Sequence, residues 1–207
     1  MNNSHSKHIT PHPLNPRKAP SQPRSAHTVE SILEGAAHIL EQSGFEGYTT
    51  NAIAARAGVS IGSLYQYFPT KEAVTVALIE REMTGLVQEA KQALLLEDRS
   101  KALRQLVEIA VRYQLRRPAL AVLLDFEQNR LSTTMPKSEM RTAMHTALVE
   151  FLQEGSEIEK LALNIAAAEM MAIICALTDA AGRHGSVDQA KLIRRIEASI
   201  LGYLSAI

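Results

Sequence analysis

The stretch from Ile61 to Phe68 carries side chains that form hydrogen bonds without carrying charge. On a helical wheel of about 100° per residue, Leu64 and Phe68 point together toward a core. Gly62, Ser63 and Gln66 fall on the opposite face, with Tyr65 and Tyr67 at its flanks. No acidic residue occurs between Glu46 and Glu72, whereas Arg56 and Lys71 do, which gives the segment a local charge of about +2. Such a face does not repel phosphate. Its hydroxyls and amide suit backbone oxygens and base edges, and a glycine on it permits close approach. Other chemistry-bearing residues are weaker. His5, His8 and His12 have a spacing that suggests a metal, but they sit in a Pro-rich segment, and no metal site is expected. Cys175 is the single cysteine, so it makes neither an intramolecular disulfide nor a thiolate metal site. It reads as a small buried hydrophobe or a sensing thiol. His145 is either a ligand donor or a satisfied helical histidine. No nucleophile motif or phosphate-cradling glycine loop occurs, so neither an enzyme nor a cofactor is expected.

The elements that must position the Ile61–Phe68 face are short. Thr49 or Thr50 is placed to cap a helix from Asn51 to Ala57, Gly58 supplies the permissive backbone that leaves it, and Val59 packs inward. Ser60 caps the helix from Ile61, which Pro69 closes because the residue before proline disfavours helical geometry. Before them, Val29, Ile32, Leu33, Ala36 and Leu40 recur with the period of an amphipathic helix, which Gly44 ends. After Thr70 the pattern predicts longer helices over 70–96, 100–117, 118–131, 137–154, 157–183 and 187–205, with Pro118 and Pro136 at two joints. Ser156 with Glu159 and Ser186 with Gln189 have capping-box spacing. No alternating strand pattern or hairpin signal appears, so the fold class is all-α.

The chain has 207 residues, 46% of them apolar, 21% charged and 4% aromatic, a globular composition. Twenty-two Lys plus Arg balance twenty-two Asp plus Glu, so any nucleic-acid site must be local. Pro11, Pro13, Pro16, Pro20 and Pro23 crowd residues 1–24, which are predicted to be a disordered basic arm. Lys7, Arg17, Lys18 and Arg24 accompany no apolar run of signal-peptide type, and a cytoplasmic location is expected. Leu161 to Thr178 is mostly apolar, but Asn164 and Glu169 interrupt it; a buried helix is expected and no membrane partner.

The run Thr49-Thr50-Asn51-Ala52-Ile53-Ala54-Ala55-Arg56-Ala57-Gly58-Val59-Ser60-Ile61-Gly62-Ser63-Leu64-Tyr65-Gln66-Tyr67-Phe68-Pro69-Thr70-Lys71-Glu72 resembles the DNA-binding domain of the TetR family of bacterial transcriptional regulators, over about residues 27–82. The resemblance implies a three-helix helix-turn-helix domain over 25–72, a connecting helix over 70–96, and a ligand-binding and dimerisation domain over 73–207. It also implies a DNA interface of Thr49, Thr50, Asn51, Ser60, Ile61, Gly62, Ser63, Tyr65, Gln66, Tyr67 and Lys71. There the helix from Ile61 enters the major groove and Ile61, Gly62 and Gln66 face bases, while Arg24 reaches an adjacent minor groove by analogy with arm-bearing proteins. Ile61 stands where polar residues are frequent in the family. It either touches a thymine methyl or folds toward the Leu64 side of its helix.

For the C-terminal half the resemblance implies a homodimer through the last two helices and a pocket for a small hydrophobic effector. Ile165, Ala168, Ala172 and Cys175, then Ile193, Ile196, Ile200 and Leu204, recur at spacings of three and four, as a seam or an intramolecular core requires. Tyr113, Phe126, Met144, Phe151 and Met170 are the pocket candidates, each with a plain core alternative. The function implied is a repressor that reads a palindromic DNA operator and is released by its effector. A structural DNA-associated factor with no effector is the alternative.

Overall fold

Thr49, Ser60, Thr70, Asp98 and Asp188 each stand one residue before a helix, and each side chain accepts a backbone N–H bond of 3.0–3.1 Å from the third residue on. These caps satisfy amides that no earlier turn can reach. The helices are α1 (Pro23–Gly47), α2 (Thr50–Ala57), α3 (Ile61–Tyr67), α4 (Lys71–Leu94), α5 (Arg99–Arg116), α6 (Pro118–Leu131), α7 (Glu139–Gln153), α8 (Lys160–His184) and α9 (Gln189–Leu204). The computed structural model describes Leu14 and residues 23–131, 139–153, 159–184 and 188–207; every regular element among them is a helix.

Several expected boundaries move. Pro23 and Arg24 begin α1 rather than ending an arm, because proline at a first helical position has no amide to leave unpaired. The rest of the expected arm, Leu14 apart, lies outside the described residues. Regular geometry does break at Gly44 (φ 58°, ψ −157°), and one further turn carries α1 to Gly47. The cap of α9 is Asp188, not Ser186. Ser186, Ser156 and Pro136 lie outside the described residues.

The chain packs as two units, one ending at Leu78 and the other running from Ile79 to Ile207; the first therefore extends six residues past the expected boundary at 72. In the first unit α1 rests on α2, and α2 on α3. Gly35 makes the first contact close: a Cβ there would lie 3.1 Å from the Ala57 backbone nitrogen and 3.2 Å from the Ile53 carbonyl oxygen. Ile32, Leu40, Ile53 and Leu64 are wholly buried, and Phe68 nearly so; each such side chain stabilises the fold by about 1.5–3 kcal/mol. Tyr48 is also buried, and its hydroxyl is hydrogen-bonded to that of Thr75 at 3.2 Å. That bond fastens the start of α4 to the turn before α2.

In the second unit α8 is central, packing against α5, α6, α7 and α9. The segment Leu161–Arg183 is long and apolar enough to cross a membrane by length and composition. Here one of its faces, with Leu163, Ala166, Ala167, Met170 and Ile174, enters the protein core. Its other face, with Leu161, Ile165, Ala168, Ala172 and Cys175, is exposed, so the expectation of a buried helix holds for one side only. Of the seam expected on α9, two residues face inward and two are half-buried. Ile196 and Ile200 are wholly buried in the protomer's own core, and Ile193 and Leu204 pack against it, because the phase of the α9 stripe turns these side chains toward α5 and α8. Of the pocket candidates, Met144, Phe151 and Met170 fill the same core. Phe126 is 60% exposed on α6, since that helix turns Leu120 and Leu124 inward instead.

Candidate nucleic-acid interface

Two glycines and two hydroxyl caps build the site. Gly58 adopts a left-handed conformation (φ 68°, ψ 29°), and its amide donates to the carbonyls of Ala54 and Ala55. A β-carbon is strained in that conformation, which is why the chain turns from α2 to α3 at a glycine. Thr49, not Thr50, caps α2. The Thr50 hydroxyl is thereby released to lie 3.2 Å from the Tyr65 hydroxyl, which ties the start of α2 to the outward face of α3. Ser60 accepts from the Ser63 amide, and the two serine hydroxyls are 2.8 Å apart. Their oxygens sit side by side at the beginning of α3.

The outward face of α3 matches the wheel. Leu64 is buried, while Gly62 and Gln66 are exposed, Ile61 is 38% and Tyr65 41% exposed, and Ser63 and Tyr67 are half-buried. Ile61 is thus partly covered and partly open to the outside. Gly62 is informative because nothing in the protein requires it: a Cβ there would meet only the Ser60 hydroxyl, at 3.9 Å. Gly62 stands in the first turn of α3, and the open space beside it lies outside the molecule. On α2, Thr49, Asn51 and Arg56 are exposed. Lys71 opens α4 with its ammonium 5.8 Å from the centre of the Tyr48 ring, so packing limits where the charge stands. Arg24 is exposed in the first turn of α1. The surface brought together by α2, α3 and the start of α4 thus has hydroxyls, an amide and two cations, and no carboxylate between Glu46 and Glu72.

Sequence reasoning missed Gly35, Tyr48, Thr70 and Thr75. The small-residue run Gly35-Ala36-Ala37 was a signal for close helix approach. The bond between Tyr48 and Thr75 spans 27 positions and has no local signature.

The second unit holds a cleft of about 110 Å³ among α4, α5 and α6, walled by Ile79, Met83, Leu86, Tyr113, Leu120 and Leu124, with Glu82, Gln114, Arg116, Arg117, Asp125 and Gln128 as polar members. Tyr113 is the one expected pocket residue that lines it. The Tyr113 hydroxyl donates to Glu89 at 3.0 Å, and burial followed by that carboxylate pushes its pKa up. Asp125 is hydrogen-bonded to Asp179 of α8; burial first, then the Asp179 charge, raises its pKa to about 6. Gln114 donates to Asp179 at 2.8 Å and also bonds Asp125. None of these three polar residues was singled out from the sequence, since Gln114 and Asp179 are 65 positions apart. His145 Nε2 lies 3.1 Å from the Asn164 carbonyl oxygen, a satisfied helical histidine. Surrounding protein raises the Cys175 thiol pKa to about 11, with Asp179 and Asp125 adding to the effect, so the thiol is a poor nucleophile.

A helix-turn-helix with an acid-free outward face, followed by a separate helical unit, defines a DNA-binding transcriptional regulator. Residues 32–78 match the family model of bacterial regulatory proteins, tetR family, and residues 100–204 match the tetracyclin repressor-like C-terminal domain. The chain belongs to the tetR family. It is 29% identical over 127 residues to the HTH-type transcriptional repressor NicS of Pseudomonas putida, covering 61% of this chain and 60% of that protein. It is 37% identical over 109 residues to the nucleoid occlusion factor SlmA of Citrobacter koseri, covering 49% of this chain and 55% of that protein. The matched segments thus span only about half to three fifths of these two relatives. The fatty acid degradation regulator FadR of Bacillus halodurans has the same fold, with a TM-score of 0.73 at 20% identity over 88% of this chain and 97% of that one. So does PfmR of Thermus thermophilus, with a TM-score of 0.65 at 22% identity over 82% and 96%.

Proposed function

We propose that this protein is a homodimeric repressor in the cytoplasm that reads a palindromic operator through α3 and releases it when a small effector occupies the second unit. The observation that carries the DNA-reading part is the exposed trio of Ile61, Gly62 and Gln66 on a surface without carboxylates. Gln66 hydrogen-bonds a base edge, Ile61 contacts a thymine methyl, and Gly62 lets the helix approach. Thr49, Thr50, Asn51, Ser60, Ser63, Tyr65, Tyr67 and Lys71 surround that trio on the phosphate backbone, and Arg24 reaches outward from α1. The exposed α8 face of Ile165, Ala168, Ala172 and Cys175 supports dimerisation, because an apolar stripe of that length on a soluble regulator calls for a partner helix. Exposed Leu201 extends the surface onto α9.

Two recognition helices in such a dimer sit about 34–36 Å apart to meet successive major grooves. An effector that favours a conformer with another separation weakens DNA binding by its differential affinity for the two states, typically about 1–3 kcal/mol. The name of NicS supports repression. Selection of bound fragments from a random DNA pool, at near-physiological salt with nonspecific competitor, tests the reading: a palindromic consensus is expected, and no enrichment by a folded dimer would overturn it. The identity with SlmA favours a second reading, a DNA-associated factor without an effector; a specific DNA complex that no ligand perturbs would select it.

A further inference from the structure

The cleft among α4, α5 and α6 has apolar walls, and its polar groups are unequal in sign. Arg116, which lines it, is held by Glu82 at 2.8 Å, and Arg117 is likewise engaged with a partner. Asp125 also lines the cleft, and its nearest polar company is a second carboxyl and an amide: Asp179, which shares a hydrogen bond with it, and Gln114, which bonds both. Burial, and at Asp125 the neighbouring Asp179 charge, push the pKa of each carboxyl up, so both negative charges are poorly compensated once the pair ionises. Arg183 offsets part of the charge at Asp179. Among the described residues, no cation offsets the charge at Asp125 itself.

We propose that the cleft takes a small apolar amine, whose ammonium bonds the carboxyl of Asp125 while its hydrocarbon lies against Met83, Leu86, Leu120 and Leu124. The inference deepens the proposed function, since it rests on this cleft being the effector site. An ammonium brings the missing positive charge to the ionised Asp125 carboxylate through charge-assisted hydrogen bonds. A carboxylate ligand would add a third negative charge to the same place. The volume, about 110 Å³, is below the roughly 300–1,000 Å³ of drug-sized pockets, so the ligand is a short chain or a single ring.

The test uses hexylamine, hexan-1-ol and hexanoate, matched in length, titrated by calorimetry into the full-length protein at pH 7.5. Hexylamine is expected to bind at least about tenfold more tightly than either of the others, the difference that one hydrogen bond to a charged group supplies. Asp125→Asn is expected to remove that preference, and Asp179→Asn, which leaves the Asp125 carboxyl in place, to keep it. Equal or tighter binding of the alcohol or the acid, no binding of any probe, or an unchanged preference in a folded Asp125→Asn protein would overturn the amine assignment. Comparing the three probes on the unmodified protein decides the matter even if a variant does not fold. The regulator reading is judged separately on the same samples, by operator affinity: an amine that binds without weakening the DNA complex upholds the ligand class and removes effector control.

Discussion

The hydroxyl of Thr50, in the first turn of α2, lies 3.2 Å from the hydroxyl of Tyr65, on the outward face of α3. Two side chains proposed to meet a phosphate backbone are therefore held by each other in the free protein. Preorganisation of this kind lowers the conformational entropy lost on binding.

Tyr65→Phe keeps the ring and removes the hydroxyl. DNA affinity is expected to fall by about 0.5–1.5 kcal/mol, the worth of one ordinary hydrogen bond, and to fall equally for operator and unrelated DNA. Fluorescence anisotropy with both duplexes is the measurement, and a loss confined to the operator would place Tyr65 on bases instead.

Gln66 is exposed on the same face, and its amide is the group proposed to read a base edge. Gln66→Ala is expected to relax preference at one base pair by about 1–3 kcal/mol and leave nonspecific affinity nearly unchanged. Binding to a panel of single-base operator variants checks this; a uniform loss across the panel contradicts base reading.

Lys71, anchored over the Tyr48 ring, contributes charge rather than sequence information. Lys71→Ala should make the slope of log affinity against log salt less steep by about 1 for each phosphate that its ammonium no longer neutralises. An unchanged slope takes Lys71 out of the interface.

Ile165 is 51% exposed in the protomer, so replacing it does not open a cavity. Ile165→Glu is expected to leave helical content intact and convert the dimer to monomer in analytical ultracentrifugation, with loss of operator affinity. A variant that stays dimeric puts the seam elsewhere.

Asp125 supplies a dependence on pH. Its pKa rises from 3.8 to about 6 on folding, by burial and then by Asp179, so the folded protein binds the proton more tightly than the unfolded chain. The resulting stabilisation is fully present below about pH 3.8 and disappears as pH rises through about 6. At pH 7 the ionised pair therefore weakens the fold. Asp125→Asn, whose amide mimics the protonated acid, should stabilise by on the order of 2 kcal/mol at pH 7 and by much less at pH 4. Urea unfolding at the two pH values measures the difference; equal gains would locate the effect outside the titration.

What the sequence determined by itself is local. Thr49 or Thr50, Gly58, Ser60 and Pro69 fix where α2 and α3 start and stop, because caps, left-handed turns and proline act within four residues. The 3.6-residue period then sends Leu64 inward and Gln66 outward without reference to anything distant. The TetR resemblance rests on these same residues, and so does the surface proposed to face DNA. Periodicity gives the phase of an apolar stripe but not the identity of what covers it. On α8, where apolar residues occupy most of the circumference, only packing separated the inward Ala167 and Met170 from the outward Ile165 and Ala172, and on α9 only packing showed that the stripe of Ile196 and Ile200 is covered by the protomer's own core. The same holds for polar groups brought together over long separations: Tyr48 with Thr75, and Gln114 with Asp179 and Asp125. Such pairs form because folding removes water from around them and leaves each the other as a partner, a condition set by the tertiary structure and invisible to any window along the chain.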